Sequence, residues 1–127
     1  MSFMDYNFKI EQRDGYIYAE SSGHETLENS RAVYESIIKK IIEWNCNKVV
    51  YIEGFENQIP ISEVCVLMDT IFKEVKTAGL KVRFAFYDRN GDHDAVNLLS
   101  ESLAGAQGIN AKVFQNEEDA IAWIKAC

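Results

Sequence analysis

Apolar and polar side chains alternate through "YNFKIEQRDGYIYAES", placing Tyr6, Phe8 and Ile10 on one side of an extended chain. A period of two is the pattern of a half-buried strand. Asp14-Gly15 supplies a positive-φ turn, and Tyr16 to Glu20 begins the return strand of a hairpin. In "GHETLENSRAVYESIIKKIIEW" the period changes. Val33, Tyr34, Ile37, Ile38, Ile41 and Ile42 recur at helical spacing, with Thr26 as N-cap. "KVVYIEG" is then a short continuous apolar run, the mark of an interior strand covered on both faces.

The alternation continues to the end of the chain. Ile61, Val64, Leu67, Met68, Ile71, Phe72 and Val75 form the stripe of a second helix, with Ser62 as its N-cap and Gly79 as its stop. "KVRFAFYD" is a second interior strand. "DAVNLLSESLAGA" sets Val96, Leu99, Leu103 and Ala106 on one stripe, with Asp94 at its start. "AKVF" is a short last strand. "NEEDAIAWIKAC" is a closing helix capped by Asn116, with Glu117, Glu118 and Asp119 in the first turn, where the helix dipole favours acids. The order β-β-α-β-α-β-α-β-α predicts an α/β fold. The expected form is an N-terminal hairpin and then alternating helices and strands. Together they make a mainly parallel sheet of four or five strands, packed with about four helices.

Composition narrows the picture. The 127 residues fit one domain, 1–127, with 47% hydrophobic and 26% charged side chains and a single proline, Pro60. The formal charge is −7, from 20 acidic against 13 basic residues, with no basic run, so nucleic acid and anionic membrane surfaces are disfavoured partners. "MSFMDYNFKI" lacks the basic and apolar regions of a signal peptide, and no apolar run is long enough to span a membrane. Cys46, Cys65 and Cys127 are odd in number and widely spaced, which points away from a disulfide framework or zinc site and towards the cytoplasm.

In open α/β sheets, the loops leaving the carboxyl ends of parallel strands gather on one rim. The two such loops here, Gly54–Ser62 and Tyr87–Asp94, bring Glu53, Glu56, Ser62, Asp88, Arg89, Asp92 and His93 to one end as candidate partner-binding or regulatory residues. Asp88, Asn90, Asp92 and Asp94 offer oxygens to a hard cation. The spacing is not that of an EF-hand, because Gly91 is fourth in the loop and the twelfth residue is Leu99, so no metal is expected. There is no G-x-S-x-G elbow, no H-E-x-x-H and no Gly-rich phosphate loop, so neither a catalytic residue nor a cofactor is expected. Met68, Phe72, Phe84 and Phe86 fit either a packed core or the lining of an apolar ligand cavity.

The strand and capped helix of "AKVFQNEEDAIAWI", the phrase "VVYIEGFE" before an amphipathic helix, and "TAGLKVRFAF" before a strand resemble the STAS family of anti-sigma-factor antagonist-like domains, in its STAS/SEC14-like branch of small bacterial proteins. The resemblance covers nearly the whole chain. It implies a non-enzymatic regulatory domain acting by contact with a protein, a kinase or another regulator. Binding of an apolar small molecule or lipid is the alternative, and a homodimer stays open. In switched members an Asp-Ser-[Ser/Thr]-Gly motif opens the helix after the first interior strand, and its first serine is phosphorylated. The matching positions here are Ile61-Ser62-Glu63-Val64, which keep the serine and lose the rest of the motif. Phosphate at a helix N-terminus is electrostatically favoured, but Glu63 and the acidic rim oppose the added charge.

Overall fold

The computed structural model describes residues 6–90 and 94–126. The chain runs β1 (Tyr6–Arg13), β2 (Tyr16–Gly23), α1 (Leu27–Trp44), β3 (Lys48–Phe55), α2 (Ile61–Thr77), β4 (Arg83–Asp88), α3 (Asp94–Ala106), β5 (Asn110–Phe114) and α4 (Glu117–Lys125). These are the elements and the order that the hydrophobic pattern predicts. Five strands form one sheet in the order β1-β2-β3-β4-β5, with β1 antiparallel to β2 and every later pair parallel.

Local chemistry sets the element ends. Gly15, at φ 82°, turns the hairpin, and Thr26 caps α1 by accepting from Asn29 N at 3.0 Å. Asn116 caps α4 by accepting from Asp119 N at 2.8 Å. Such caps satisfy helix N–H groups that have no partner within the helix, at about 1 kcal/mol each. At the far end of α2, Gly79 takes φ 72°; its N–H reaches Lys76 O while that of Leu80 reaches Val75 O. That pair of bonds is the Schellman stop.

Strand alternation divides the core into two layers. Ile17, Ala19, Val49, Tyr51, Phe84 and Phe86 lie on one face beneath α1, α2 and α3. Tyr16, Tyr18, Val50, Ile52 and Ala85 lie on the other, with Ala120 and Ile124 of α4. Three successive crossovers that all step the same way along the sheet put their helices on one side, as right-handed connections require. The continuous apolar runs of β3 and β4 follow from this double cover.

Three expectations are corrected. Ser62 is not the N-cap of α2, because that position is Pro60. Pro60 sits at φ −53°, ψ 138°, and its carbonyl accepts from Glu63 N and Val64 N, so Ser62 is already the second helical residue. The inward face of α3 is also rotated from the expected stripe. Val96, Asn97, Ser100 and Ala104 are buried, while Leu99 and Leu103 are half-buried and Ala106 is exposed. Small side chains let α3 approach its neighbours more closely than leucines would. Finally, Ile42 and Ile61 belong to the apolar repeats but are 59% and 53% exposed.

Candidate functional site

The rim at the carboxyl ends of β2, β3 and β4 is held by its own polar side chains. In the loop after β3, Glu56 N donates to Gly23 O at 2.8 Å. Asn57 grips the backbone of Glu25 at both ends, accepting from its N–H at 2.6 Å and donating to its carbonyl at 2.9 Å. In the loop after β4, Arg89 N donates to Glu53 O at 2.9 Å, and Asn90 Nδ2 donates to Phe55 O at 2.5 Å. Asp88 Oδ1 accepts from Asn90 N at 3.0 Å. Asparagine suits these places because one carboxamide serves both a donor and an acceptor of a neighbouring backbone. The two loops are thereby tied to each other and to the end of β2.

The sequence candidates share this rim but do not converge on one point. Glu53 and Asp88 are register partners, on the side of the sheet covered by α1–α3. Arg89 instead pairs with Glu20, Nη2 to Oε2 at 2.5 Å, and that hydrogen bond holds its guanidinium more firmly protonated. Glu20 extends from the face that carries Tyr18 and α4, so Arg89 reaches away from Ser62. Glu56 and Ser62 are exposed on the outside. Ser62 borders a groove of ≈ 310 Å³ between the starts of α1 and α2, where Leu27, Arg31, Glu63, Val66 and Leu67 also lie. Asp92 and His93 lie outside the described residues, as do Gly91, the middle of the Asp88–Asp94 loop, and Cys127.

Beneath the rim is a polar cluster of which the sequence singled out only Glu53. Glu25, Ser30, Tyr34, Glu53, Gln58, Asn97 and Ser100 surround a small cavity, with Ile59, Val64, Leu67, Met68 and Val96 as its apolar wall. Glu25 Oε2 accepts from Ser30 Oγ at 2.5 Å. Next to it, the rings of Tyr34 and Tyr51 meet edge to face at 5.5 Å, and the Tyr51 hydroxyl bonds Ser21 Oγ at 2.7 Å. A signal existed in the sequence. Asn97, Ser100 and Ala104 are small or polar at helical spacing on a helix that must pack.

Burial pushes both tyrosine hydroxyls well above their ordinary range, Tyr34 further through Glu53 and Glu25, Tyr51 further through Tyr34 and Glu53. The unfolded chain ionises its tyrosines near pH 10 or so, while the folded chain keeps these two protonated. Their contribution is therefore complete below about pH 10 and is lost as pH rises from there towards the folded values. Tyr51→Phe is expected to cost about 1–2 kcal/mol at neutral pH through the abandoned Ser21 hydroxyl. The variant should also lose stability less steeply above pH 10 or so than the parent. Urea unfolding of both proteins across the alkaline range checks this, and parallel alkaline slopes would refute it.

Met68, Phe72, Phe84 and Phe86 are 0–4% exposed, and the rings of Phe84 and Phe86 stack at 5.5 Å. They belong to one packed cluster. No helix among the described residues is long and apolar enough to cross a membrane. Among those residues, no group of three or more His, Cys, Asp or Glu side chains is arranged to hold a metal ion.

No family model matches the chain, and no curated protein matches it in sequence. Its fold is that of a known structure. A serine-to-glutamate variant of RsbS from Moorella thermoacetica, a STAS-domain anti-sigma-factor antagonist, superposes with a TM-score of 0.57. The match is 18% identical and covers 93% of this chain and 94% of that one. The five-stranded sheet with its N-terminal antiparallel hairpin and four helices is a STAS-like fold.

Proposed function

We propose that the chain is a non-enzymatic regulatory domain of STAS type that works by contact with another protein through the outer surface of its rim. The observation that carries this reading is the rim's construction. Asn57 fixes the loop after β3, and Asn90 the start of the loop after β4, to neighbouring backbone, while Glu56, Ile61, Ser62 and Val66 stay exposed beside them. A surface ordered before contact loses little conformational entropy on binding. Two large apolar side chains held in water, Ile61 at 53% and Val66 at 66% exposure, are suited to burial in an interface. The fold shared with RsbS points the same way, since STAS relatives interact with partner proteins such as kinases.

Within this reading Ser62 is a contact residue near the groove beside α1, and phosphorylation of an intact STAS motif has no part in it. Glu63 lies in the first turn of α2, where its carboxylate already complements the helix dipole. The test is affinity capture from the native lysate with the parent chain, Ser62→Glu, Glu56→Lys and Lys81→Ala. Lys81 lies between α2 and β4, at the opposite end of the sheet. A partner retained by the parent and Lys81→Ala, and reduced tenfold or so by the other two, is the expected result. A partner set unchanged across all four would overturn the rim reading. Absence of any partner, with an apolar molecule carried through native mass spectrometry, would replace it with ligand binding.

A further inference from the structure

We propose that the cavity beneath the rim is a built site for internal water, which joins α3 to the ends of β2 and β3. The cavity gives the centre of a water-sized sphere ≈ 20 Å³. Holding a water takes about one such sphere of occupied space, roughly 10–15 Å³, and a sphere whose centre has this freedom sweeps more than that, so water fits. Four of its polar lining residues are withdrawn from solvent, Glu25 and Asn97 each 6% exposed, Ser100 5% and Ser30 3%, while Tyr34 and Glu53 are half-buried and Gln58 is exposed at its edge. Asn97 Nδ2 itself has less than 1 Å² of exposed surface and no hydrogen-bond partner among the described residues.

The chemistry of the lining selects the occupant. Asn97 brings an N–H donor, whereas Glu25 and Glu53 bring carboxylate acceptors. A metal cation lacks the ligands it needs, since among the described residues no group of three or more His, Cys, Asp or Glu side chains is arranged to hold one. An anion would suit the amide and oppose the carboxylates. Water serves both, accepting from Asn97 and donating to a carboxylate, with the hydroxyls of Ser100 and Tyr34 able to complete its shell. The result is a link among three segments distant in sequence. It does not depend on what the rim contacts.

The sign of one substitution separates a wet cavity from a dry one. In a dry cavity Asn97→Leu removes a buried donor that has no acceptor and fills space, so the protein becomes more stable. In a wet cavity the same change expels the bridging water and leaves the acceptors it served without their donor. The unfolding equilibrium constant should then rise roughly tenfold or more. A crystal structure of the parent chain supplies the readout if the variant fails to fold. An ordered water within hydrogen-bonding distance of Asn97 Nδ2 is the expected result. A parent crystal with no such density, or an Asn97→Leu variant as stable as the parent, would overturn the proposal.

Discussion

Gly54→Ala is expected to destabilise the chain by about 3 kcal/mol, at the upper end for a single added methyl group in a packed interior. Gly54 is buried in β3 and lies opposite Ser22 of β2. A Cβ built there would sit 2.5 Å from Ser21 O, with Ser21 C at 3.6 Å and Ser22 Cα at 3.7 Å. All three are backbone atoms of a neighbouring strand, so no rotamer change relieves the clash. The relief must come from separating β2 and β3, the pair that joins the hairpin to the parallel sheet. That movement would also strain Glu56 N–H to Gly23 O, and with it the rim. Gly105→Ala is the control. It lies within α3, and an added Cβ meets nothing within 4 Å there, so helix propensity alone should leave it neutral or slightly stabilised. Urea denaturation of the two variants checks the contrast. Equal midpoints would mean that the close approach at Gly54 has no energetic weight.

Gly54 also illustrates what the sequence conceals. Its place at the end of an interior strand is legible from "KVVYIEG", but its approach to a carbonyl of β2 depends on strand pairing. Features decided within a few residues were legible: the Asp14-Gly15 turn, the Thr26 and Asn116 caps, and the double-faced burial of β3 and β4. Ser62 failed as a cap for a local reason that propensity obscured. Serine is the better capping side chain, yet Pro60 already has the extended backbone that starts a helix, so the chain is helical before it reaches Ser62. On α3, counting leucines located the wrong stripe, because close packing against neighbouring elements favours Ser100 and Ala104 there. Glu25 was the least legible. It precedes a helix cap in a polar stretch and reads as solvated, and only the Asn57 clamp and Ser30 reveal that it is buried.

The largest single loss is expected at the centre of α2. Phe72 is fully buried, within the cluster that α1, α2 and α3 form over the sheet. Phe72→Ala removes a ring whose transfer from water and lost contacts together amount to about 3–5 kcal/mol, depending on how far the neighbours collapse. Phe72→Leu keeps most of the volume and should cost less than half as much. The series also bears on ligand binding. If Phe72, with Met68, Phe84 and Phe86, fills the interior in the native chain, the parent offers an apolar molecule no room and its melting temperature will not respond to one. Phe72→Ala opens that room. A small aromatic such as benzene should then restore part of the lost stability through preferential binding to the folded form. The reverse pattern, with the parent stabilised by the aromatic and the variant indifferent to it, would mean that these side chains line a ligand cavity.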